Sequence, residues 1–300
     1  MKPIRYGLQF LIALVAVLLI AGHPGYSSHA STAIAQVPES NTTANVDIEL
    51  LLQQLHPANA PLCPANLEET IRPIITRSSL AGSHWGILVE PLSSDSSLYS
   101  YHSDDFLIPA SNIKLFTTAA ALQSPESQSL SANLTNLIQV INRDSDNYYA
   151  DILLDRLGGP NMVKDALSPL GVDPDGYWQV DGSGLSRSNS AKPRTLVKLL
   201  KAMSAASGHD IFYDSLPIAG INGTLRDRFH NTLVEGRVHA KTGTLRGVKA
   251  LSGYLDHDDY GTIVFSIVVN QPGQSGYVLS DAIDQIVIKL GQLSLCNGSV

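Results

Sequence analysis

Cysteine is nearly absent from this 300-residue chain, which has only Cys63 and Cys296. Two such residues cannot build a cysteine framework, and they lack the close spacing of a zinc site. The nine histidines form no His-Glu-x-x-His or similar cluster, so metal-centred hydrolysis has no signature here. There is no basic run, and the formal charge is −7. Nucleic acid is therefore not the expected partner. The apolar run Phe10 to Ala21 falls short of the about 20 residues that a membrane span needs. Internal repeats are also missing, which excludes a solenoid.

What is present begins with an export signal. Lys2 and Arg5 precede the apolar run, and Ala33-Ile34-Ala35 before Gln36 is a small-x-small cleavage site. Residues 1–35 are read as this signal, with an uncleaved anchor holding the chain at a membrane surface as the alternative. Either way the expected location is the periplasm or cell envelope. Lys2 and Arg5 are the only charged residues before Gln36, so taking their two positive charges from −7 leaves the remainder at −9. Residues 36–62 start polar and end on a short helical patch, Ile48 to Leu55, stopped by Pro57 and Pro61. They read as a linker with an appended helix. The folded unit is expected over 63–300, large enough for one domain or two closely packed halves. In an exported protein Cys63 and Cys296 can form one bridge across that unit. The alternative is two separate buried thiols.

Leu67, Ile71, Ile74 and Ile75 predict an amphipathic helix, kinked or split at Pro73. His84 to Glu90 and Ser97 to Tyr101 predict a β-hairpin. A helix is expected from Ser111, a loop over 123–133, and helices around 134–141, 150–157, 162–170 and 193–203. Strands return at 237–245, 250–255 and 262–269, and a final helix carries Ile283, Ile286, Val287, Leu290 and Leu293 on one face. Strands, helices, strands, helix is the order of an α/β (α+β) fold. Its antiparallel sheet is drawn from both ends, about 63–110 and 235–300, with an all-helical section of about 111–234 inserted.

The chemistry gathers around Pro109-Ala110-Ser111-Asn112-Ile113-Lys114. Ser111 at a helix N-terminus, with Lys114 one turn on, brings a hydroxyl within reach of an amine. Serine is a poor nucleophile until a base takes its proton, and a lysine kept partly neutral by burial can be that base. Ser111…Lys114 is the chain's only S-x-x-K, and Lys241-Thr242-Gly243 its only K-T-G. S-x-N occurs as Ser131-Ala132-Asn133 and Ser145-Asp146-Asn147; the second is chosen because it lies at a turn between apolar helices. Ser145 can relay a proton, and Asn147 can bond the substrate amide or Lys114. Lys241 would put positive charge at the cleft edge for a substrate carboxylate, with Thr242 adding a hydroxyl. Gly243 would let strand and substrate approach closely. The N–H groups of Ser111 and Thr244 would hold an oxyanion. Arg187, Arg226 and Arg228 are open: each can clamp a carboxylate or form a structural ion pair.

These motifs occur together in penicillin-binding proteins and serine β-lactamases. Adding Asp181-Gly182-Ser183-Gly184-Leu185-Ser186-Arg187, Ala219-Gly220, Gly223-Thr224-Leu225-Arg226 and Ala240 to Leu245, the sequence over roughly 63–293 resembles one family. It is that of the D-alanyl-D-alanine carboxypeptidase/endopeptidases, the low-molecular-mass class C penicillin-binding proteins. The resemblance implies a penicillin-recognising fold that trims peptidoglycan stem peptides. Ser111 would form an acyl-enzyme, β-lactams would acylate it and leave slowly, and no metal or organic cofactor would be required. Family members carry two further domains between the first two motifs, whereas here Ser111 and Ser145 are separated by little more than two helices. Surface that such an insertion would cover invites self-association.

Two rivals remain. A serine β-lactamase of the same fold needs a rapid deacylation device, yet Glu235 is the only Glu between Asn147 and Lys241. A non-catalytic binder of wall peptides would have no use for Ser111, Lys114, Ser145 and Lys241 together.

Overall fold

The computed structural model describes residues 61–124 and 131–296. The expected signal over 1–35 and all but the last two residues of the linker over 36–62, its helical patch included, lie outside the described residues.

Five strands make one antiparallel sheet: β1 (His84–Pro91), β2 (Tyr99–Tyr101), β5 (Val238–Leu245), β6 (Val248–His257) and β7 (Gly261–Asn270). Their spatial order is β2-β1-β7-β6-β5. β1 pairs with β7 along its whole length, from His84↔Asn270 to Pro91↔Ile263. The early hairpin thus completes its sheet only with the last strands of the chain. β7 is buried continuously from Ile263 to Val269, as expected of a strand covered on both faces.

Alternation along the strands feeds two cores. Ile87, Val89, Leu251, Phe265 and Ile267 face α1 (Leu67–Thr76) and the terminal helix α8 (Gly276–Gly291). Leu88, Ala250, Tyr254, Val264 and Val268 face the inserted helices. Those are α2 (Lys114–Gln123), α3 (Ser131–Arg143), α4 (Asn147–Arg156), α5 (Pro160–Leu167), α6 (Pro193–Ala205) and α7 (His209–Asp214). Every residue of α2 from Lys114 to Leu122 is buried. A helix apolar nearly all round belongs at the centre of its layer, and α2 lies there.

Four local expectations change. Pro73 does not split α1, which runs through it with Pro73 on the exposed side. Ser111 lies in a 3-10 turn, Ala110–Ile113, and the α-helix begins only at Lys114. Tight turns of this kind commonly lead into α-helices. Ser131 to Asn133, expected in a loop, form the first turn of α3. Two short strands that periodicity could not reveal, β3 (Tyr177–Trp178) and β4 (Ser190–Ala191), pair across the base of the 181–187 loop.

Cys63 and Cys296 are disulfide-bonded, with their Cα atoms 5.8 Å apart. Leu62 bridges to Leu293 beside them. Among the described residues no helix is long and apolar enough to cross a membrane, and no group of His, Cys, Asp and Glu is arranged to hold a metal.

Candidate active site

The turn bearing Ser111 is clasped from two sides. A Cβ on Gly184 would lie 2.2 Å from the Ala110 carbonyl oxygen, and one on Gly243 would lie 2.5 Å from that of Pro109. Only glycine lets the 181–187 loop and β5 come this close. Ala110 itself has φ +48°, a left-handed conformation that costs a residue with a Cβ. Such strain persists where the surroundings over-determine it. Buried Asn112 donates to Ser252 Oγ at 2.7 Å, and Ser252 to Ser266 Oγ at 2.9 Å, staking the turn to β6 and β7.

Lys114 is wholly buried. Its Nζ lies 2.8 Å from Asn147 Oδ1, 3.0 Å from Ser111 Oγ and against the Ser183 carbonyl oxygen. Two of these three partners can only accept. An unprotonated lysine has two N–H bonds and one lone pair, so Asn147 and Ser183 consume both hydrogens. In that form the lone pair would face Ser111 Oγ. In the ammonium form Nζ donates to that oxygen, while the Ser111 hydroxyl donates to the Ser183 carbonyl oxygen at 3.3 Å. Burial drives the ammonium down to about 8, partly opposed by Asp151, Asp181 and Asp146. Roughly a tenth of Lys114 is then unprotonated at pH 7.

Asp151 and Asp181 also build the loop that supplies the Ser183 carbonyl. Ser183 N–H donates to Asp151 Oδ1, and the N–H groups of Gly184 and Ser186 donate to the two Asp181 oxygens, each at 2.7 Å. Asn189 Nδ2 donates to Asp181 Oδ1 at 2.8 Å.

In the Ser145-Asp146-Asn147 segment the middle residue is structural. Asp146 caps α4, accepting from Tyr149 N–H at 2.8 Å. That cap leaves Ser145 just before the helix, at φ +60°, and Asn147 as its first residue. Lys241 is fully buried and donates to Ser145 Oγ at 2.8 Å and to the Thr242 carbonyl at 3.0 Å. Burial, then Lys114, hold its ammonium well below the ordinary lysine range. The expectation of a Lys241 charge at the cleft edge is therefore corrected: this side chain points inward to a serine.

Ser111, Ser145, Asn147, Thr242 and Thr244 line one cleft of about 310 Å³, together with Leu185, Thr224, Arg228, Lys249 and Ser280. Lys114 and Lys241 lie behind its wall, and Gly243 is buried in β5 beside the turn. Every residue expected to act on or bind the substrate thus falls at this place. Several groups at this place were not singled out from the sequence. The Ser183 carbonyl is a backbone atom that no residue type announces, while Asp151 and Lys249 belong to no motif. Thr224, whose hydroxyl lies 2.7 Å from that of Thr242, sits in the Gly223 to Arg226 segment, where nothing marked it for a role. Of the three arginines, Arg187 donates to the Arg246 carbonyl and Arg228 binds Asp284 through Nε at 3.1 and 3.2 Å. Arg226 lines a neighbouring cavity with Arg143 and Asp144.

The two-core sheet-and-helix architecture is the fold class of solved penicillin-binding proteins and β-lactamases. Penicillin binding protein 4 (dacB) of Haemophilus influenzae superposes with a TM-score of 0.61 at 14% identity, over 77% of this chain and 99% of that one. TLA-3 extended-spectrum β-lactamase superposes at 0.64 and 16% identity, over 76% and 98%. At such identities the likeness establishes the fold.

Within that class the chain belongs to the D-Ala-D-Ala carboxypeptidase 3 (S13) family, whose match covers residues 67–129 and 124–293. D-alanyl-D-alanine carboxypeptidase of Actinomadura sp. (strain R39) is 38% identical over 178 residues, 54% of this chain and 32% of that protein. Penicillin-sensitive carboxypeptidase A of Dictyostelium discoideum is 34% identical over 186 residues, 55% and 35% respectively. The aligned region covers about a third of the length of these curated relatives.

Proposed function

We propose that this protein is a serine D-Ala-D-Ala carboxypeptidase acting on peptidoglycan stem peptides in the cell envelope, with β-lactams as covalent inhibitors. The observation that carries the reading is the buried Lys114 amine, held by Asn147 Oδ1 and the Ser183 carbonyl oxygen with its Nζ 3.0 Å from Ser111 Oγ. Once it is deprotonated, its lone pair would face the serine. Ser111 Oγ attacks the carbonyl of the penultimate D-alanine, and its proton passes to Lys114. The N–H groups of Ser111 and Thr244 stabilise the oxyanion. As the tetrahedral intermediate collapses, the proton returns through Ser145 to the departing nitrogen, releasing D-alanine and leaving an ester on Ser111. Water then hydrolyses the ester and restores the serine.

Family membership and the names of the relatives support this reading over a β-lactamase. So does the carboxylate inventory. Glu235 is engaged by His230 and by Asn231 N–H and does not line the cleft. Asp151 and Asp181 are spent on the 183–186 backbone. None of the three lines the Ser111 cleft. The amino-terminal signal read from the sequence supports export to the periplasm or envelope.

Incubation with a pentapeptide ending in D-Ala-D-Ala, followed by mass spectrometry, should show loss of one alanine. Fluorescent penicillin should label the wild type and not Ser111→Ala. Labelling without cleavage of any D-Ala-D-Ala peptide would point to a binder, and rapid turnover of a cephalosporin to a β-lactamase.

A further inference from the structure

If Lys241 is turned inward, the cleft needs another cation to recognise a peptide that ends in a carboxylate. We infer that Lys249 reads the substrate's terminal carboxylate, acting with the hydroxyl of Thr244. The inference rests on the carboxypeptidase reading for the identity of that carboxylate.

Lys249 stands directly opposite Thr244 in the β5–β6 register. Its Nζ lies 3.0 Å from Thr244 Oγ1, and both side chains line the Ser111 cleft. By accepting from the ammonium, the Thr244 oxygen leaves its own hydrogen free to donate. An ammonium with two further hydrogens and a hydroxyl with one are therefore presented together, which suits the two oxygens of a carboxylate.

The cation is not committed elsewhere. Among the described residues no carboxylate forms a salt bridge with Lys249. The acid that it senses, Asp284, is gripped by Arg228. Burial and the Arg228 charge depress the Lys249 ammonium from its ordinary range, the condition that an incoming anion relieves. Room is also provided. Gly276, the first residue of α8, places no side chain beside Lys249, where a Cβ would come 3.1 Å from Cε and 3.6 Å from Nζ. Thr242, by contrast, already shares its hydroxyl with Thr224.

The test compares a D-Ala-D-Ala peptide with its C-terminal amide, and benzylpenicillin with its methyl ester, on wild type, Lys249→Gln and Lys249→Arg. The acid-to-amide ratio of kcat/KM should fall about tenfold in Lys249→Gln, chiefly through KM for the acid. Lys249→Arg should restore most of it. Acylation should show the same fall in preference for benzylpenicillin over its ester. An unchanged ratio in Lys249→Gln, or equal losses on acid and amide, overturns the inference. Thermal melting of each variant separates the latter from misfolding. If Lys249→Gln does not fold, Lys249→Arg decides: a retained preference for the acid supports the inference, and a lost one overturns it. If no peptide is cleaved but the penicillin preference still collapses in Lys249→Gln, the carboxypeptidase reading fails and the anion site stands. If the folded wild type neither cleaves peptide nor is acylated, both fall.

Discussion

Two wholly buried lysines flank the same cleft, and their surroundings differ in the sign of what lies nearby. Around Lys114 are Asp151, Asp181 and Asp146, which pull its ammonium back toward the ordinary range and leave it near 8. Around Lys241 the electrostatic neighbour is Lys114, which adds to the effect of burial. Burial depresses both amines, Lys114 against the pull of three carboxylates and Lys241 with none to oppose it, and Lys241 donates to Ser145. On the proposed mechanism the same side chain is a base in one place and a tether to Ser145 in the other. What separates their electrostatics is the presence or absence of nearby carboxylates, not the residue type.

That contrast can be broken by substitution. Lys114→Met should slow acylation by penicillin about 10³-fold, the scale of a lost general base, measured as the rate of label incorporation. Lys241→Met should cost only about 10–100-fold, since it unseats the Ser145 hydroxyl without removing the base. Equal losses would erase the distinction drawn between the two. The pH profile sharpens it further. Because Lys114 must lose its proton to accept one from Ser111, the acylation rate should climb as pH rises through about 8 and level off above. Asp151→Asn keeps an acceptor for the Ser183 N–H but deletes a charge that raises Lys114. The climbing limb should then move toward acid by less than about one pH unit. Smallest in kinetic effect is the pair Cys63→Ser with Cys296→Ser. It should lower Tm, with about 2–5 kcal/mol of stability lost, while acylation of the folded enzyme stays as before.

Much of this was legible in the residues. Periods of two and of three to four placed β1, β5, β6, β7 and most helices, and the three motifs named two serines, two lysines and an asparagine that do meet. The sheet drawn from both ends followed from element order. What escaped were contacts that side-chain identity does not encode. The Ser183 carbonyl is placed by a loop that Asp151 and Asp181 fix. Asp181 opens the Asp181 to Arg187 motif, but Asp151, on α4, sits at no recognisable spacing from Ser183. Ser111 falls in a 3-10 turn because Ala110 is held left-handed between Gly184 and Gly243, a tertiary constraint. The inward aim of Lys241 was hidden for the same reason: strand alternation gives a face, whereas burial at the edge of β5 depends on what α4 brings to it.

The pairing of β1 with β7 has a consequence for how the molecule comes into being. While a nascent chain still lacks β5, β6 and β7, β1 has only the three-residue β2 beside it. The wall that Thr242, Gly243 and Thr244 provide has not yet met the Ser111 turn. Contacts of such long sequence separation form late and slowly. Ser111 is consequently synthesised before the strand that completes its cleft, so on the proposed function a growing or truncated polypeptide would carry the serine without the wall that β5 supplies.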